Sequence, residues 1–252
     1  AGDDPACRTL ALAGVGRVGI TGEEPVETLR GWLDDARAAA EAIGDRATES
    51  SALRRLGILA LRQRDWDAGE ALSVRSQRLC EAIGDERGAR FALANVAQAA
   101  AGRGESARAR ALYRDCLERA RAAGDRLQEG MLRLNLGWIH ATRAEWDDAR
   151  AEGRACVRLA RALGNHRTLA FALWNLPEPM LHHGDVEDAA RLLAFAARFW
   201  SERFGPLDDD DQRYLRELRA AIAARLGASR ADDLAAEGAL LSLERAVALA
   251  LA

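Results

Sequence analysis

Three of the four asparagines in this chain, Asn95, Asn135 and Asn175, stand forty residues apart. A carboxamide carries a donor and an acceptor, the complement of a peptide unit, so a ladder of them could hold the backbone of an extended polypeptide. Asparagine is a poor helix former, and its recurrence inside segments that read as helices needs a cause. Either the side chains bond to a neighbouring helix or they face a ligand. Residues three or four positions away share a helix face. That places Arg54, Arg55, Ile58 and Arg62 in one segment beside Phe91 and Gln98 in the next, Met131 and Trp138 in the third, and Phe171, Trp174 and Glu178 in the fourth. Such a face would be basic at one end and aromatic at the other. Three amide contacts at about 1 kcal/mol each fall short of the roughly 8 kcal/mol of a micromolar complex. Trp138 and Trp174 are the candidate anchors for the balance, unless they fill core.

The remaining chemistry-bearing residues point away from catalysis. Gly14, Gly16 and Gly19 spell G-x-G-x-x-G. A dinucleotide site also needs a strand before these glycines and an alternating β-α-β chain after them, and the sequence offers neither. The four histidines, His140, His166, His182 and His183, form no H-E-x-x-H pair, and there is no G-x-S-x-G or phosphate-binding loop. Glu178 and His182 are four apart, but two ligands without a third make a poor metal site. The sequence therefore predicts no enzyme, no cofactor and no metal. Cys7, Cys80, Cys116 and Cys156 contain no C-x-x-C and are too few for a disulfide scaffold. The net charge of −3 argues against direct nucleic-acid binding. No stretch reads as a membrane span or a basic leader, so a cytoplasmic location is expected. All 36 basic residues are arginine, which suggests a GC-rich bacterial genome. The chain starts at Ala1 and reads as a piece of a longer protein.

The elements that position these residues follow from self-similarity. AIGDRATES, AIGDERGAR, AAGDRLQEG and ALGNHRTLA recur with their glycines at Gly44, Gly84, Gly124 and Gly164. Each unit reads as two amphipathic helices, from Arg46 to Arg62 and from about Trp66 to Ile83 in the first full one. Glycine suits the helix end and Asp or Asn the following cap. Small residues recur at Gly57, Ala97 and Gly137, at Gly69, Ala109, Ala149 and Ala189, and at Ser76, Cys116, Cys156 and Ala196. They allow neighbouring helices to approach closely, while Leu53, Leu93 and Leu173 fill the space between. Arg133 falls in that leucine column without evident reason. His140 shares a column with Ala60, Ala100 and Met180 and reads as a packed histidine. Pro177 and Pro179 should break or kink the first helix of the fourth unit and free carbonyls beside Trp174. By the same register, Gly16 belongs to the first helix of a further, N-terminal unit.

Small residues at Gly57, Gly69 and Ser76, repeated downstream, with Trp66 and Trp146 at the helix-joining turns, resemble the tetratricopeptide repeat in its longer form, similar to kinesin light chains. The resemblance implies an all-α, right-handed solenoid of about five helical hairpins (about 5–44, 45–84, 85–124, 125–164 and 165–205), with capping helices over 206–252. It also implies a concave groove lined by the asparagine column. The stretch from Asp188 to the end resembles the C-terminus of bacterial signal-responsive regulators, in which an NTPase precedes such repeats and a DNA-binding or other effector domain can be attached. In the tail, Asp208 to Asp211 should start a helix reaching Leu226, Ser229 with Asp232 should cap a short helix, and Ser242 a last one. The expected function is a non-enzymatic sensing or interaction module that binds a peptide or protein segment through Asn95, Asn135, Asn175, Gln98, Trp138, Trp174, Arg54, Arg55 and Glu178. The alternatives are a small-molecule sensor using a pocket near Trp138 and Trp174, and a scaffold for self-association.

Overall fold

The structure, a computed structural model, describes residues 25–252. The Gly14, Gly16 and Gly19 pattern, Cys7 and the first helix of the expected N-terminal repeat lie outside the described residues. Among the described residues every regular element is an α-helix. Consecutive helices pack against their neighbours within two compact units, one ending at Ala123 and the other covering Gly124–Ala252.

The first unit holds α1 (Val26–Ile43), α2 (Arg46–Arg62), α3 (Trp66–Ala82), α4 (Glu86–Gly102) and α5 (Ser106–Ala122). Each helix packs on the next, and α2 also meets α4. The boundaries follow from local chemistry. Gly44 and Gly84 stop α1 and α3 in the left-handed conformation, at φ 72° and 73°. The aspartate after each glycine then caps the next helix: Thr48 N–H donates to Asp45 Oδ1 at 3.0 Å and Gly88 N–H to Asp85 Oδ1 at 2.9 Å. The small-residue columns mark close approach. A Cβ on Gly57 would lie 2.8 Å from Ser73 Oγ, and one on Gly69 2.6 Å from Leu61 Cδ2.

The third small column is more than filler. Ser76 Oγ donates to Ser50 O at 2.8 Å and Cys116 Sγ to Arg90 O at 3.7 Å, and in the second unit Cys156 Sγ donates to Gly130 O at 3.2 Å. Each joins a second helix to the first helix of the same hairpin. Cys116 and Cys156 are fully buried, and burial pushes both thiols up to about 12. They are inert hydrogen-bonding core groups.

The second unit holds α6 (Arg126–Thr142), α7 (Trp146–Ala162), α8 (His166–Asn175), α9 (Pro177–His183), α10 (Val186–Phe204), α11 (Asp209–Leu226), α12 (Ala228–Ala239) and α13 (Leu243–Leu251). The expected break is present: α8 stops at Asn175 and α9 starts at Pro177, where the missing N–H costs nothing. Carbonyls in the last turns of α9 are used internally. His183 Nδ1 lies 2.8 Å from Pro179 O, and Arg225 donates to Leu181 O at 2.6 Å. The tail shares one core with the hairpins: Leu218, Ile222, Leu234 and Val247 pack with Leu173, Leu192 and Phe195.

In that tail, Asp208 caps α11 by accepting from Asp211 N–H at 2.8 Å, and Ser242 caps α13 by accepting from Arg245 N–H at 3.3 Å. The expected Ser229 cap is corrected. The helix begins earlier, Gly227 is its N-cap, and Ser229 lies within its first turn. Gly227, at φ 81°, separates α11 from α12 and sets this start.

Candidate functional site

Arg55, Asn95, Asn135 and Asn175 are each the tenth residue of a first helix, α2, α4, α6 and α8. All four are half-buried. Arg55 and Asn95 belong to the first unit, Asn135 and Asn175 to the second. Because α6 packs on α8, the last two occupy equivalent turns of adjacent helices. A buried Asn normally has both ends bonded, yet Asn95 Nδ2 is buried with no hydrogen-bond partner among the described residues.

In the first unit the face around Asn95 is polar and cationic. Gln98 is exposed one turn beyond Asn95, and Phe91 lies one turn before it. The guanidinium carbons of Arg54 and Arg87 each lie 5.6 Å from the centroid of the Phe91 ring, a cation–π arrangement. Arg54 is half-buried in a cleft of about 330 Å³ shared with Ser51, Cys80, Asp85 and Gly88. Burial lowers its pKa, opposed by the field of Cys80 and Asp85. Its guanidinium makes no ion pair among the described residues. Ser51, Cys80 and Arg87 were not singled out from the sequence. A signal was available: Arg54 occupies the column of Ala94, Leu134 and Trp174, where a charge is out of place.

In the second unit the corresponding face is apolar. Leu127, Met131 and Trp138 recur along α6 at helical spacing and are 40%, 43% and 49% exposed, with Asn135 between them. On α8, Phe171 packs edge-on against Trp200 at 4.6 Å between centroids, and Trp200 in turn meets Phe204 at 5.1 Å.

Two expected site residues are covered. Trp174 is 7% exposed, its ring 5.8 Å from that of Tyr214 on α11. Tyr214 also donates to Glu178 at 3.4 Å. The expectation of Trp174 as an open anchor is corrected, since the tail helix lies over the fourth hairpin and takes that ring into the core. Burial raises the Glu178 carboxyl above the usual range, tempered by His182 and the Tyr214 hydroxyl. His182 itself stacks flat on Trp146, 3.9 Å between centroids and 3° between planes. Its neighbour His183 is held above the usual imidazole range by Asp147, 2.6 Å from Nε2.

His140 is 2% exposed and its Nδ1 lies 2.6 Å from Glu145 Oε2. Asp148 comes within 3.7 Å, so these three could approach a metal ion together. Arg143 already neutralises Glu145 at 2.7 Å, and the arrangement reads as a packed histidine tied to the start of α7. No helix among the described residues is long and apolar enough to cross a membrane. No protein-family model matches the chain, and a search of curated proteins found no match.

Proposed function

We propose that the chain is a non-enzymatic recognition module whose first-helix faces hold a peptide or protein segment. In this reading the hairpins are tetratricopeptide-like units of a right-handed solenoid, and they serve a bacterial signal-responsive regulator whose NTPase or effector domain reads the bound state. The observation that carries the proposal is the outward stripe on α6. Leu127, Met131 and Trp138 lie along one helix with a half-buried amide among them, and large apolar groups so aligned and exposed suit a partner surface. In the first unit the exposed Gln98 and the Phe91 ring flanked by Arg54 and Arg87 support it. The alternative of a small-molecule pocket between Trp138 and Trp174 loses one wall to Tyr214.

The test is binding of a tryptophan-free peptide library, followed by intrinsic fluorescence, to the protein and two variants. Trp138→Ala should weaken binding by about thirtyfold, the scale of a central aromatic anchor. Asn135→Ala should weaken it about fivefold, the worth of one hydrogen bond, with the melting temperature nearly unchanged. Affinities unchanged in both variants would overturn the reading, and a large fall in the melting temperature of Asn135→Ala would favour a packing role for the amide.

A further inference from the structure

The cleft beside Phe91 in the first unit has features that packing alone does not explain. Arg54 stands in a column otherwise filled by Ala94, Leu134 and Trp174, so an apolar side chain fits that position in three sibling helices. Here the chain instead desolvates a guanidinium and gives it an aromatic face, while Asp85, the carboxylate in the same cleft, acts on it without forming an ion pair. Removing a cation from water without an anion is costly, and sequences retain such groups where something else supplies the anion. Ser51 lies three residues before Arg54, on the same face of α2, and its hydroxyl opens on the same cleft. Asn95 lies four residues beyond Phe91, on the same face of α4, with its Nδ2 lacking an acceptor.

We propose that this cleft is a carboxylate-binding subsite that takes an Asp or Glu side chain of the bound segment. The inference rests on the reading of the first-helix faces as a peptide surface. The guanidinium offers two parallel N–H donors that match the two oxygens of a carboxylate. Phe91 supplies the apolar wall against which the aliphatic part of the acidic side chain lies. Asp85 sets the charge limit. Its Oδ1 is committed to Gly88 N–H at 2.9 Å, and its carboxylate group stands at the cleft wall. One further negative charge is balanced by Arg54, whereas a phosphate dianion meets repulsion from Asp85.

The experiment uses the full chain and small probes, so that it does not depend on finding the natural partner. N-acetylglutamate N-methylamide, its glutamine analogue and inorganic phosphate are titrated at constant ionic strength against the arginine Nε–Hε signals, with Arg54 assigned by substitution. The glutamate probe should shift the Arg54 signal saturably, the glutamine probe should not, and phosphate should bind at least about threefold more weakly. Equal responses to glutamate and glutamine probes, or tighter binding of phosphate, would overturn the assignment without reference to any variant. Arg54→Lys should weaken the glutamate probe about tenfold, since the second parallel bond is lost. Arg54→Leu restores the apolar column. It should abolish the response and raise the urea midpoint of the first unit, whereas a lowered midpoint would make Arg54 a structural residue and sink the proposal. The Trp138→Ala and Asn135→Ala measurements decide the segment reading separately, so the two failures are distinguishable.

Discussion

Arg133, out of place in the leucine column, has a partner equally out of place. Its guanidinium binds Glu129 and Glu152, each at 2.8 Å. Glu152 stands in the column of Leu72, Leu112 and Leu192, and in the fourth hairpin the three corresponding positions are Leu169, Leu173 and Leu192. Those three leucines are 3%, 0% and 0% exposed. The third hairpin has thus exchanged an apolar set for an ion triad whose side chains are 14%, 17% and 23% exposed. Its attraction is little screened at that burial, and Arg133 is held above the usual guanidinium range by the two carboxylates despite desolvation. Arg133→Leu alone leaves two facing carboxylates without their cation and should cost about 3 kcal/mol. The triple replacement Glu129→Leu, Arg133→Leu, Glu152→Leu recreates the fourth-hairpin set and should instead stabilise by about 1–4 kcal/mol, because the desolvation of three charges is relieved while apolar area is buried. Urea unfolding reads both, followed by tryptophan fluorescence, to which the second unit contributes Trp138, Trp146, Trp174 and Trp200. A triple variant less stable than the parent, or a neutral Arg133→Leu, would refute the argument that the triad is held against a desolvation cost.

Three further outcomes follow from particular contacts. Ala144 sits at φ 58° in the helix-joining turn where Gly104 and Gly184 occupy the same register, so Ala144→Gly should stabilise by about 0.5–1 kcal/mol after the added freedom of the unfolded chain, measured by urea unfolding. A Cβ at Gly238 would fall on the Arg191 backbone, which cannot withdraw as a flexible side chain would, so Gly238→Ala should lower stability by about 1–3 kcal/mol and loosen α12 in hydrogen exchange. Glu178 has a raised carboxyl in the folded state, so its contribution is fully present below its ordinary value of 4.5 and is lost as pH rises through the higher folded value. Glu178→Gln should therefore raise the urea midpoint at pH 7 and leave it unchanged below about pH 4.

The helices were legible in the sequence because their signals are local. The bounds expected for α2, Arg46 to Arg62, match to the residue, and the small columns marked where helices touch. Ser229 misled for a local reason too: the Ser-x-x-Asp pattern is indifferent to whether the helix has already begun, and here it begins directly after Gly227. The left-handed turn at Arg64, Gly104, Ala144 and Gly184 was harder to see, because two of its four residues are not glycine.

The site was less legible because exposure depends on what the tail covers. Trp138 and Trp174 stand in different columns of the repeat near the same asparagine position, and one is half-exposed while the other lies under Tyr214. Position in the repeat identifies which residues share a face, and only the packing of α11 determines which part of that face stays open. What remains open differs in kind between the units. In the first, a half-buried guanidinium lies over an aromatic ring beside a cleft, whereas in the second a stripe of large apolar side chains stands exposed along α6.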